Sequence, residues 1–163
     1  MRYHNITKDD MLNGEGLRTV LWVAGCSHHC PQCHNPVTWD INGGLVFDEQ
    51  AKEELFEELK KNYVSGVTFS GGDPLHLENR EEIGALAKEI REKFPDKTIW
   101  LYTGYEWEEI CHLLFLSNID VIVDGKFKIE EKDNNLHWKG SANQRVIDVK
   151  ASLRAGEVRL YQE

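Results

Sequence analysis

An α/β fold with a mostly parallel sheet is what the sequence predicts, and three observations carry the prediction. Short runs of apolar and β-branched residues alternate with longer segments of helical period. The runs end at glycine-containing turns, as strands do when a crossover follows. The length of 163 residues suits one domain with a real core, expected to span residues 1–163, and is short for a complete eight-fold barrel.

Residues 17–23 read as a buried strand that runs through Ala24 and Gly25 directly into Cys26. Residues 48–61 are rich in Glu, Lys and Leu, with Ala51, Leu55, Phe56 and Leu59 marking one face, which predicts a helix. A second strand at 66–70 stops at Gly71, Gly72, Asp73 and Pro74, and helical spacing resumes over 79–94 through Ile83, Leu86, Ala87 and Ile90. A third strand at 98–102 stops at Thr103 and Gly104, before a helix predicted over 106–116 that carries Ile110, Leu113, Leu114 and, as a small buried residue, Cys111. Residues 119–123 form a fourth strand closed by Asp124 and Gly125, and the polar stretch 130–135 reads as a loop. Two short strands, at 146–149 and 158–161 with a turn over 152–156, finish the chain. Right-handed crossovers between parallel strands gather the loops at the strand C-termini along one edge, where function belongs. The cysteine loop, 71–74, 103–105 and 124–126 all fall there.

Composition excludes several classes. With 19 Lys and Arg against 28 Asp and Glu, the net charge of −9 disfavours nonspecific binding to nucleic acid or an anionic membrane. Residues 1–10 mix charged and polar side chains without the apolar stretch of a secretory leader, and no run approaches the ~20 apolar residues of a membrane helix. The expected location is the cytoplasm, with no nucleic-acid or membrane partner. Three of four cysteines lie within eight positions, which suits a metal site or redox loop in a reducing compartment better than a disulfide framework.

Cys26, Cys30 and Cys33 are spaced i, i+4, i+7, which on a helix would make one buried stripe. Gly25, Pro31 and Pro36 leave too little uninterrupted chain for that helix, so a loop folded around a metal fits better. Three thiolates suffice for three irons of a cubane and leave the fourth iron open. Zinc is the rival, with His28, His29 or His34 as a fourth ligand. A zinc-stabilised module without catalysis is therefore the alternative from a different class.

The CxxxCxxC loop over 26–33 resembles the signature of radical S-adenosylmethionine enzymes. Residues 13–19 before it, and His34, Asn35, Pro36, Thr38 and Trp39 after it, are similar to the activating enzymes of glycyl-radical enzymes; residues 70–75 resemble the superfamily's Gly-Gly-acidic motif. Residues 100–105, 120–127 and 139–145 together resemble the activating component of anaerobic ribonucleotide reductase, so the resemblance covers nearly the whole chain. It departs from the family pattern at Glu15, where proline is common, at Gln32, where an aromatic residue is common, and at Lys139, where arginine is frequent and a bidentate contact would be lost.

The resemblance implies an incomplete β/α barrel of the radical S-adenosylmethionine type. It implies a 4Fe-4S cluster on Cys26, Cys30 and Cys33, with S-adenosylmethionine cleaved to a 5'-deoxyadenosyl radical that takes a hydrogen from one glycine of the reductase. Cofactor binding falls to Gln32, Cys33 and His34 in the loop and to Gly71, Gly72 and Asp73, the last accepting a hydrogen bond from the cofactor's ammonium group. The implied electron donor is a low-potential protein such as flavodoxin or ferredoxin. Activation of another glycyl-radical enzyme, of the pyruvate formate-lyase type, is the alternative within the superfamily. His28 and His29 are expected to be exposed or hydrogen-bonded, Trp39 to pack under the loop, and Asn143, Gln144 and Arg145 to meet the partner, close the site or form a solvated loop.

Overall fold

The computed structural model describes residues 1–31, 33 and 36–162. Gln32, His34 and Asn35, which the sequence places in the cofactor loop, lie outside the described residues. The strands are β1 (Arg2–Asp10), β2 (Arg18–Val23), β3 (Leu45–Val46), β4 (Gly66–Gly71), β5 (Thr98–Tyr102), β6 (Val121–Asp124) and β7 (Arg145–Asp148); the helices are α1 (Glu49–Leu59), α2 (Arg80–Lys93), α3 (Trp107–Ile110) and α4 (Val149–Ala155). One sheet holds the seven strands in the order β3-β1-β2-β4-β5-β6-β7. Its centre, β2-β4-β5-β6, is parallel, while β1, β3 and β7 pair antiparallel at the flanks, and the sheet does not close. No helix among the described residues is long and apolar enough to cross a membrane.

Strand alternation divides the sheet into two faces. On one face Leu21, Val67, Phe69, Ile99 and Leu101 join Leu55 and Leu59 of α1 and Ile83, Ala87 and Ile90 of α2 in the main core. The helix faces are the ones their spacing predicts, and Asp48 caps α1 by accepting from the Ala51 N–H at 2.9 Å. On the other face Trp100, Val121 and Val123 form a second cluster, covered by Trp138 and Tyr161. The Trp100 ring meets Trp138 edge-on at 4.9 Å and Tyr161 at 5.3 Å.

One strand, β1, was not expected from the sequence, and four expectations are corrected. The polar N-terminal segment forms β1, in which Ile6 alone is buried; its pairing with β2 and β3 is made by backbone groups and leaves no apolar alternation to read. The helix expected over 106–116 is only α3, followed by a 3-10 turn at Leu114–Asn118. On one continuous helix Ile110 and Leu116 would lie about 120° apart, whereas the break lets both reach the main core and turns Leu114 out to 92% exposure. Cys111 consequently sits exposed after α3 instead of buried within a helix. Near the C-terminus the turn over 152–156 belongs to α4, capped by Asp148 at its start and by Gly156 with φ 72° at its end. The strand expected at 158–161 is reduced to a single bridge between Ile147 and Leu160.

Arg18 opens β2 fully buried on the second face. Its guanidinium donates five hydrogen bonds of 2.8–2.9 Å: to the Thr68 and Thr98 hydroxyls and to the carbonyls of Glu15, Val67 and Thr98. Carbonyls and hydroxyls thus satisfy it, with no carboxylate among these five partners. Burial pushes its pKa down to about 10, with Asp120 acting in the other direction. Removing the side chain leaves a cavity beside Trp100 and strands the acceptors it served. Arg18→Ala is expected to lower unfolding free energy by about 3 kcal/mol or more, with Arg18→Lys recovering part of it because an ammonium has fewer donors. Urea denaturation measures both; a loss under about 1 kcal/mol would mean that desolvating the cation cancels its hydrogen bonds.

Candidate functional site

At the C-terminal ends of β2, β4, β5 and β6, on the face opposite α1 and α2, lies a cavity of about 380 Å³. Trp22 and Ser70 line it from the next-to-last positions of β2 and β4 and Tyr102 from the last of β5, and the loops after all four strands complete the wall. Three independent crossovers therefore converge on one space, as parallel topology requires.

The cysteine loop leaves β2 after Ala24, and both its ends are pinned. The Gly25 N–H donates to the Thr38 carbonyl at 2.7 Å and the Cys26 N–H to the Trp39 carbonyl at 3.0 Å. Residues 26–31 are not helical, which disposes of the helix-stripe reading, and His29 takes a positive φ of 48°. Cys26, Cys30 and Cys33 are partly buried and all three line the cavity. Burial pushes the Cys26 thiol from 9.0 up to about 11, with hydrogen bonds from the His28 and His29 backbone opposing it. Cys30 is raised as well, chiefly by burial, while a backbone hydrogen bond from Phe127 pulls the other way.

The neighbouring imidazoles are already engaged. His29 stacks on Trp39 with centroids 4.5 Å apart, so Trp39 does pack against the loop. Nε2 of His28 lies 2.6 Å from Oδ2 of Asp73. His28 also lines the cavity, with Nε2 turned to Asp73, and the three cysteines beside it supply the sulfur donors that iron and sulfide favour. No three Cys, His, Asp or Glu side chains among the described residues converge on a single metal-sized point. A cubane does not ask for that, since each thiolate binds a different iron.

Gly71 and Gly72 reach the lining, and their lack of side chains is required there. Gly71 has φ 106°, and a Cβ on it would stand 2.5 Å from backbone atoms of Val23. A Cβ on Gly72 would stand 2.6 Å from the Gly25 carbonyl oxygen and 2.7 Å from that of Thr38. Asp73 does not join the lining; it lies beneath, 1% exposed. Thr103, Gly104 and Gly125 line the cavity, whereas Tyr105 packs edge-on against His28 at 4.6 Å.

Farther along, Asp124 is buried and accepts from the Trp107 N–H at 2.8 Å and from Arg145 Nη2 at 2.5 Å. Gln144 donates to the Gly125 carbonyl and accepts from the Gly140 N–H, both at 2.9 Å, and Asn143 donates to the Lys126 carbonyl at 2.8 Å. Residues 143–145 are thus bound to the loop after β6 and do not form a loose solvated loop. Gln144 and Lys139 also line the cavity.

Residues 12–147 match the family described as a 4Fe-4S single cluster domain. The anaerobic ribonucleoside-triphosphate reductase-activating protein of Enterobacteria phage T4 is 44% identical over 146 residues, 90% of this chain and 93% of that relative. The proteins of the same name from Salmonella typhi and Escherichia coli K12 are 41% and 40% identical over 150 residues, 90% of this chain and 97% of each relative. The chain belongs to the family of anaerobic ribonucleoside-triphosphate reductase-activating proteins.

In this activating-family chain, sequence reasoning missed Trp22, Tyr102, Trp138 and Leu12 as lining residues. Trp22 and Tyr102 were within reach, since each is the last residue of its strand that alternation turns away from the helices. Trp138 and Leu12 come from irregular loops, where no periodicity points to a face. Tyr102 is fixed by donating to the Trp138 carbonyl at 2.6 Å, which ties β5 to the loop closing the cavity.

A thiol pushed to about 11 holds roughly 100-fold less thiolate near neutral pH than one at 9.0. In metal-free, reduced protein at pH 8, iodoacetamide is expected to label exposed Cys111 well before Cys26, and Cys26 labelling should rise about tenfold per pH unit toward pH 10. Peptide mass mapping over time gives the rates. Equal labelling at pH 8 would contradict the burial of Cys26.

Proposed function

We propose that the chain is a radical S-adenosylmethionine enzyme that activates an anaerobic ribonucleoside-triphosphate reductase by generating a glycyl radical on it. The observation that carries this reading is the single cavity on which three partly buried thiols and the Gly71–Gly72 turn meet, at the C-terminal edge of parallel strands. The open sheet is read as an incomplete β/α barrel of the radical S-adenosylmethionine type, a single domain over residues 1–163. When bound, a 4Fe-4S cluster and S-adenosylmethionine supply the one-electron reductive cleavage whose carbon radical takes a hydrogen atom from a glycine of the reductase.

Cys26, Cys30 and Cys33 hold one iron each as thiolates. Because burial favours the protonated forms of Cys26 and Cys30, a cluster would displace protons on binding there, and loading becomes easier as pH rises. Gly71 and Gly72 present backbone without side chains, so a cofactor can approach closely. Gln32 and His34 belong to the same loop and are assigned to the cofactor with them. Trp22, Tyr102 and Trp138 form an aromatic wall that excludes water from the reacting centre.

Glycine suits the target because its radical is planar, unobstructed by a side chain and delocalised onto the flanking amides. An unclosed sheet leaves a side through which a loop of a folded partner can enter. The acidic balance supports a cytoplasmic protein that engages neither nucleic acid nor membrane and draws electrons from a low-potential flavodoxin or ferredoxin.

The test is anaerobic reconstitution with iron and sulfide, followed by incubation with a reductant and S-adenosylmethionine. Wild type is expected to release methionine and Cys30→Ala to fall to background. Mixed with each candidate, the wild type should give a glycyl radical by electron paramagnetic resonance on the ribonucleotide reductase. A radical only on a pyruvate formate-lyase type enzyme would overturn the partner, and stoichiometric zinc without iron, with no methionine, would overturn the chemistry.

A further inference from the structure

Asp73 sits where the cysteine loop, the loop after β4 and the loop after β5 meet, and both oxygens of its carboxylate accept hydrogen bonds from within the chain. Oδ1 accepts from the Leu75 N–H at 2.8 Å. Oδ2 accepts from the Thr103 hydroxyl at 3.1 Å and the Gly104 N–H at 3.0 Å, and lies 2.6 Å from His28 Nε2, a ring N–H donor to it. Each carboxylate oxygen has about two lone-pair sites, so Oδ2, with three donors around it, has no room for an external ammonium group. Burial to 1% exposure and absence from the cavity lining point the same way.

The other end of the contact is as tightly defined. His28 lies midway between Cys26 and Cys30, with its side chain 6% exposed. A Cβ on Gly104 would stand 2.5 Å from His28 Cδ2, so glycine at that position is what gives the imidazole room. The Tyr105 ring closes the other side edge-on, and the Arg80 guanidinium lies 5.0 Å from the centre of the Tyr105 ring. The cysteine loop is thus held at its two ends by backbone bonds to Thr38 and Trp39, and at its middle by one side chain reaching Asp73.

We propose that Asp73 is a positioning residue: through His28 it latches the middle of the cysteine loop onto the loops after β4 and β5, and it does not itself contact the ligand in the cavity. The latch is a property of the metal-free chain. Its consequence for the cluster rests on the function proposed above: a loop fixed at its midpoint keeps Cys26 and Cys30 facing the cavity and slows loss of whatever they bind.

Asp73→Asn puts an amide donor against at least one of the donors now sharing the carboxylate, while His28→Phe keeps the ring packing and removes the hydrogen bond. In His28→Gln the amide N–H can still reach Asp73. Hydrogen exchange of metal-free protein, followed by mass spectrometry, is expected to speed up about tenfold over residues 27–31 in Asp73→Asn and His28→Phe. The double variant should go no further, and His28→Gln should stay near wild type. In reconstituted protein, iron loss to a chelator should accelerate roughly 10–100-fold in the same two variants, again without adding in the double variant.

The proposal is overturned if Asp73→Asn weakens S-adenosylmethionine binding while loop exchange and iron retention stay at wild-type values. It is equally overturned if the two single effects multiply, or if His28→Phe restores the loop as well as His28→Gln does, which would reduce His28 to a filler. Should Asp73→Asn fail to fold, the contrast between His28→Phe and His28→Gln decides the question. Should wild type take up no cluster, the proposed function fails, and the exchange data on metal-free protein still decide the latch.

Discussion

Where β4 leaves the sheet, its backbone presses against the backbone leaving β2, and the arrangement of the site follows from that approach. The Gly72 N–H donates to the Val23 carbonyl at 2.9 Å and the Asp73 N–H to the Gly25 carbonyl at 2.7 Å, while Gly25 is itself bound to Thr38. Side chains at 71 and 72 would collide with main-chain atoms that cannot move without undoing these bonds. The Gly-Gly turn therefore fixes where the cysteine loop starts and returns, before any question of what occupies the cavity arises. Asn79, fully buried at the start of α2, extends the same seam by donating to the carbonyls of Ala24 and Asp73.

The sheet keeps stability and chemistry on different faces. Helices α1 and α2 cover one face with a continuous apolar core, which lets the other carry groups that an ordinary core would exclude: a buried arginine, a set of tryptophans and a cavity. Residues 11–17 cross that second face. Gly14 packs against Arg18 and Trp100, the Asn13 carbonyl accepts from Thr68, and Leu12 and Asn13 reach the cavity wall. Arg18 thus supports, through Thr68, the segment that brings Leu12 and Asn13 to the cavity wall.

Much of this was legible in the sequence because the parallel strands are buried on both faces and announce themselves as apolar runs ending in glycine. Strands β2, β4, β5 and β6 and helices α1 and α2 lie within a residue or two of their expected positions. β1 was not legible, since a polar strand held by backbone pairing has no side-chain period. The region after Trp107 was misread because Ile110, Leu113 and Leu114 satisfy a helical spacing locally, while a break is what brings both Ile110 and Leu116 to the core. At the site, residue types were readable but their partners were not. Cys26, Cys30, Cys33, Gly71 and Gly72 reach the cavity as expected, whereas Asp73 is turned inward by hydrogen bonds to residues 45 and 30 positions away, a relation that no local spacing encodes.

The central claim is that three thiols and no fourth protein ligand hold a cluster with one iron left open. Mössbauer spectroscopy of protein reconstituted with 57Fe, recorded with and without S-adenosylmethionine, tests it most directly. The account predicts about four irons per chain, one of which changes its isomer shift and quadrupole splitting when S-adenosylmethionine is added while the other three hold. Four irons that ignore the addition, or protein that takes up no iron, would contradict it.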